Sequence, residues 1–122
     1  MKWVVKLGDV DRGKVYLLGV VSDAFTEYTQ YHPSGSWCFQ DNAIWADGKL
    51  QGGFSHFLNF FDSGDVVSVE LERHPGQDGV MRVRVAGKAP KQDMTGLPRD
   101  GMLYPAVCLL NDKQSYTMLP RP

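Results

Sequence analysis

A strict two-residue alternation is the feature that most limits what this chain can fold into. Val67, Val69 and Leu71 alternate with Ser68, Glu70 and Glu72; after His74-Pro75-Gly76-Gln77-Asp78-Gly79 the pattern resumes as Met81, Val83 and Val85 against Arg82 and Arg84. A period of two sends successive side chains to opposite faces of a strand, so each run reads as a half-buried strand and the two together as an antiparallel hairpin. Pairing about Gln77 sets Leu71 opposite Val83 and Val69 opposite Val85, with Glu72 against Arg82 and Glu70 against Arg84. That register satisfies apolar and charged partners together.

The rest of the chain follows the same grammar. Trp3, Val5 and Leu7 alternate with Val4 and Lys6, and Val15 to Val21 is a continuous apolar run suited to a strand covered on both faces. Ala106 to Leu110 and Tyr116 to Leu119 read as a last pair of strands joined by the turn Asn111-Asp112-Lys113-Gln114. Leu103 to Val107 is expected to enter a central strand with Pro105 at its start and with Val107 and Leu109 inside. No segment sustains an apolar 3.6-residue period for three turns; the nearest, Phe54 to Phe61, is short and aromatic. Glycines and prolines, 13 and 7 of 122 residues, punctuate the runs at short intervals. The expectation is an all-β chain, two antiparallel sheets packed as a sandwich, forming one domain over residues 1–122 without repeats or linkers.

Composition narrows the function classes. Thirteen basic and 14 acidic side chains give a net charge of −1, and the basic ones are scattered. The electrostatic term behind nucleic-acid affinity is therefore missing, and no nucleic-acid partner is expected. No apolar run is long enough to span a bilayer, and Lys2 and Lys6 interrupt the start before a signal-peptide core develops. The chain reads as soluble and cytoplasmic, with no membrane partner. In that compartment Cys38 and Cys108, each flanked by apolar residues, read as buried thiols.

Catalytic and metal signatures do not appear. His32, His56 and His74 stand far apart with no metal-ligand spacing, and Gly8-Asp9-Val10-Asp11-Arg12-Gly13 is a turn, since it lacks the closing glutamate of a calcium loop. Neither a nucleophile elbow nor a phosphate-binding glycine loop is present. No metal, cofactor or catalytic activity is expected.

One stretch exceeds what a scaffold needs. Ser22 to Gly35 is a long polar loop carrying Phe25, Tyr28, Tyr31 and His32, which serve either as a recognition surface or as a lid folded onto the sandwich. Trp45, in Ile44-Trp45-Ala46-Asp47-Gly48-Lys49, is either core or an exposed anchor, with burial the commoner fate of tryptophan. With Phe54 it completes the candidate partner-binding set Phe25, Tyr28, Tyr31, His32, Trp45 and Phe54. A different class, a carbohydrate-binding sandwich, would use such aromatics with Asp41, Asn42 and Asp47.

Several segments resemble SPRY domains. Trp3-Val4-Val5 is similar to their W-x-V strand, Gly19-Val20-Val21 to the G-V strand before the variable loop, and Trp37 to the tryptophan after it. Gly64-Asp65-Val66-Val67-Ser68-Val69-Glu70-Leu71 resembles G-D-V-I-x-V-x-L-D, and Leu103-Tyr104-Pro105-Ala106-Val107-Cys108-Leu109 resembles L-Y-P-A-V-x-L. Ala86-Gly87 stands where the family has Asn-Gly, Thr117-Met118-Leu119 where it has N-F-G, and the strands before W-x-V are missing. The resemblance implies a bent β-sandwich whose loops at one end bind a short peptide or protein segment without catalysis, as in an adaptor. The missing strands imply an open sheet edge, covered by another segment, a larger assembly or a second copy of the chain.

Overall fold

A strand that buries one face needs a second sheet to bury it against, and the alternation seen in the sequence is met by that arrangement. The computed structural model describes residues 1–9, 15–25, 34–39, 43–53, 61–88, 93–109 and 115–119; among them are ten strands and no helix. In chain order these are β1 (Lys2–Leu7), β2 (Val15–Ser22), β3 (Ser36–Phe39), β4 (Ala43–Ala46) and β5 (Lys49–Gly53). They are followed by β6 (Val66–Glu72), β7 (Gly79–Val85), β8 (Met94–Leu97), β9 (Leu103–Leu109) and β10 (Tyr116–Leu119). The first sheet runs β10-β1-β6-β7-β8 and the second β5-β4-β3-β2-β9, with every pairing antiparallel. The chain is an all-β sandwich.

The core lies between the sheets and is built from the residues that alternation places on one face. Trp3, Val5 and Leu7 of β1, Val67, Val69 and Leu71 of β6, and Met81, Val83 and Val85 of β7 form the first layer. Leu18 and Val20 of β2, Trp37 and Phe39 of β3, and Ile44 of β4 form the second, and Phe61 is enclosed with them. Gly19 leaves room for close approach. A β-carbon there would stand 2.1 Å from the Trp37 carbonyl oxygen and 3.1 Å from the Met81 methyl, so a larger residue would force the strands apart.

The hairpin forms with its faces as expected but with its axis moved by one residue. Val69 pairs with Val83 and Val67 with Val85, so the turn centres on Gly76 and not on Gln77. The cause is local: Gln77 N–H donates to the His74 carbonyl at 3.0 Å, and Gly76 has φ +75°. Proline at the second position and a positive-φ glycine at the third are what a type II turn requires. Arg82 therefore sits opposite Glu70, at 3.2 Å, and reaches Glu72 diagonally at 2.6 Å. Arg84 faces Ser68 instead of Glu70 and pairs with Asp93 at 3.0 Å.

Further expectations are corrected. β9 and β10 do not pair: β9 adds to β2 in the second sheet, whereas β10 adds to β1 in the first. β9 is also an edge, not a central strand, and Pro105 lies within it. An edge tolerates this, since the missing N–H costs no bond where no further strand follows. Leu103 is buried there and Val107 only half-buried; the Leu109 side chain lies outside the described residues. The edge expected before Trp3 is closed, because β10 lies beyond β1.

This distribution of burial predicts unequal sensitivity to truncation. Val69→Ala should lower stability by about 1.5 to 3 kcal/mol through lost methyl burial and the cavity left behind. Val107→Ala should cost about half of that or less, because partial exposure reduces both terms. Urea unfolding of both variants measures the order, and equal losses would place β9 as deep in the core as β6.

Candidate functional site

The strongest local construction outside the core is the mouth of the loop that follows β2. Ser22 N–H donates to the Gly35 carbonyl at 2.8 Å, closing the two ends of the loop on each other. Gly35 N–H in turn donates to Asp47 Oδ1 at 2.7 Å, and Asp47 N–H to the Ser36 carbonyl at 2.8 Å. Asp47 can serve in this way because it occupies a left-handed conformation, φ 52°, followed by Gly48 at φ 80°. Two consecutive positive-φ residues make the two-residue type I′ turn of the β4–β5 hairpin. A hairpin turn of one pair of strands thus anchors the loop of another.

Beside this mouth stands a pair that sequence reading did not single out. Tyr104 of β9 pairs with Val21 of β2, and its side chain points away from the core because the adjacent Leu103 points into it. The nearby Asp23 carboxylate holds its phenol's pKa above the ordinary value of 10, through hydrogen bonding first and charge second. Among the described residues no lysine or arginine pairs with Asp23 or Asp47. Asp62, Asp65, Glu70, Glu72, Asp78 and Asp93 all have such partners. Tyr104 and, two residues before it, Met102 are both exposed. The mouth therefore offers apolar and aromatic surface beside carboxylates that carry no ion pair with any described residue.

The six sequence candidates divide. Phe25 stands at the base of the loop, half-buried, its N–H donating to the Ser22 carbonyl at 3.0 Å. Trp45 is half-buried on β4 and pairs with Cys38 and Leu50; the tryptophans of the core are Trp3 and Trp37, so the core expectation for Trp45 is corrected. Alternation explains this, since its neighbour Ile44 takes the inward position. Tyr28, Tyr31, His32 and Phe54 lie outside the described residues, as do Asp41 and Asn42. Asp47 uses one carboxylate oxygen to hold Gly35, a structural task in place of the sugar contact considered from sequence.

The face between Tyr104 and Trp45 is closed over β3. Ser36 and Cys38 alternate with the core residues Trp37 and Phe39, yet both are buried. Cys38 is a free thiol whose pKa is pushed up to about 12 by burial, with a hydrogen bond from Ser36 pulling weakly the other way. It is protonated and inert at neutral pH. The usable surface is accordingly the rim at Tyr104, Met102 and the loop mouth. Compared with known proteins, the chain matches no family model and no curated protein.

The Asp23 contact makes a spectroscopic prediction. Asp23→Asn removes the negative charge that opposes ionisation, so the Tyr104 phenol should titrate closer to its ordinary value, at lower pH than in the wild type. A difference titration of tyrosinate absorbance, with Tyr104→Phe to assign the signal, measures this. In the wild type the contact's stabilising contribution holds below the ordinary phenol value and is lost as pH rises through the raised one.

Proposed function

We propose that the chain is a non-catalytic protein-interaction module that binds a short peptide or protein segment through the loops at one end of the sandwich. The observation that carries the reading is the pinned loop mouth beside an exposed Tyr104 on the neighbouring strand. Recognition by a preformed surface avoids the cost of ordering a loop on binding, and tyrosine supplies flat amphipathic area at small entropy loss. Phe25 at the loop base and the aromatic residues Tyr28, Tyr31 and His32 that the same loop carries extend this surface in sequence.

The resemblance to SPRY domains supports the same reading. It rests on motifs spread from Trp3 to Leu109, and in that family the loops at one end of the sandwich take the ligand. The chain acts, on this reading, as a cytoplasmic adaptor. A carbohydrate site is less well supported, because Asp47 holds Gly35 and is not free to bind sugar hydroxyls on both oxygens.

The test separates binding from folding. A random peptide display library selected on the wild type should yield a consensus, and Tyr104→Ala should weaken the selected peptide at least tenfold, about 1.4 kcal/mol. Exposed as it is, the same change should shift stability by less than about 1 kcal/mol. Tyr31→Ala is measured alongside; a stability loss near 3 kcal/mol there would identify a lid residue, as expected for removing a buried aromatic. Failure of the wild type to select any consensus, or unaltered binding in Tyr104→Ala, would remove the mouth as the site.

A further inference from the structure

An edge strand invites another strand unless something stops it, and three of the four sheet edges carry such a stop. At β8 the side chain of Gln51 stands where a next strand's peptide group would. Its Nε2 donates to the Thr95 carbonyl at 2.8 Å, and Thr95 N–H donates to its Oε1 at 3.0 Å. At β9 Pro105 removes an N–H from the strand, and β5 begins with the exposed Lys49 and ends in Gly52-Gly53. β10 differs. Its sequence Tyr116-Thr117-Met118-Leu119 contains no charge, proline or glycine, and among the described residues no strand lies beyond it.

The hydrogen-bond pattern shows which of its groups face outward. Leu7 donates its N–H to the Asp65 carbonyl and accepts the Gly64 N–H, each at 2.8 Å, both on the β6 side. Tyr116, the residue paired with Leu7, therefore turns its own N–H and C=O to the open edge, and the antiparallel alternation places those of Met118 there too. Their side chains share a face with the fully buried Leu7 and Val5, yet are 43% and 47% exposed. The apolar face of the first sheet runs past the cover of the second.

We propose that β10 is a dimerisation edge at which a second copy of this chain adds its own β10 antiparallel across a two-fold axis through Thr117. The occupant is a second copy because the strand is complementary to itself. Inward faces align only when the register keeps odd residues opposite odd and even opposite even. Centring on Thr117 places Tyr116 opposite Met118 of the second copy, and Met118 opposite Tyr116. Each such pair exchanges two backbone hydrogen bonds through the outward groups, and each sets a thioether against an aromatic ring. Thr117 meets its own copy, a favourable cross-strand pair, and no charge faces its like within the strand. Lys6, the β1 neighbour of Thr117, lies about 14 Å from its counterpart across three strand spacings, beyond the Debye length of about 8 Å. Four residues a side make a small interface, so the dimer is weak and concentration-dependent. It is separate from the loop mouth and stands whether or not that mouth binds a peptide.

Sedimentation velocity of the full chain over a concentration series should show reversible dimers. Met118→Lys should weaken association at least tenfold, and adding Tyr116→Glu to it should restore association, because the register sets the two new charges opposite each other. Thr117→Cys, on the axis in a non-hydrogen-bonded pair with α-carbons about 4.5 Å apart, should form a disulfide dimer under mild oxidation, and Lys6→Cys should not. All four positions are exposed or at the edge, and thermal melts by circular dichroism confirm that each variant folds. A wild type that stays monomeric at its highest soluble concentration overturns the proposal. So does a dimer indifferent to Met118→Lys, and a dimer that Thr117→Cys fails to cross-link above the Lys6→Cys level overturns the register.

Discussion

The structure depends on one close approach between its two sheets, where Met81 of β7 reaches across to the bare backbone of Gly19 on β2. Around that contact the inward residues of β1, β6 and β7 meet those of β2, β3 and β4 in a single cluster. Dense packing of this kind leaves no slack, so a side chain at Gly19 would be felt through Trp37 and Cys38 as well as Met81.

Polar groups on the outer face of the first sheet do something different. Arg82 lies between Glu70, Glu72 and Asp93, and Glu72 is also bonded to His74 at 2.6 Å. These groups are substantially exposed and solvent screens their attraction, so they specify register more than they stabilise. Glu72 illustrates the electrostatics. Hydrogen bonds from His74 and then Arg82 hold its carboxyl below the ordinary range, so its contribution is present above that range and is lost as pH falls through the lowered value. At the end of the sandwich that carries the loop mouth, Arg99 pairs with Asp78 at 2.8 Å and Arg73 donates to the Gly101 carbonyl at 2.7 Å. Those contacts tie the β6–β7 turn to the segment leading into β9.

The candidate site and the open edge expose large side chains for different reasons. Tyr104 leaves the core because Leu103 enters it, and Tyr116 and Met118 keep the inward face of their sheet where the second sheet no longer covers it. Function on a sandwich is expected at such margins, since the centre is committed to packing.

Much of the fold was legible from residue pattern alone. Alternation in Val67 to Glu72 and in Met81 to Val85 determined which side chains are buried, and Trp3, Val5 and Leu7 behaved likewise, because a period of two is a property of the strand itself. The hairpin axis was not determined, since a two-residue slip of register preserves every face; the turn at Pro75-Gly76 decided it. Of the site, Phe25 was singled out from sequence, whereas the nearness of Asp23 to Tyr104 was not, because it joins residues far apart in the chain through the pairing of β2 with β9. The same holds for β9 and β10, neighbours in sequence placed in different sheets. Local alternation fixes which face a residue occupies, but which strand lies beside it depends on contacts across the chain, and only the tertiary structure decided those.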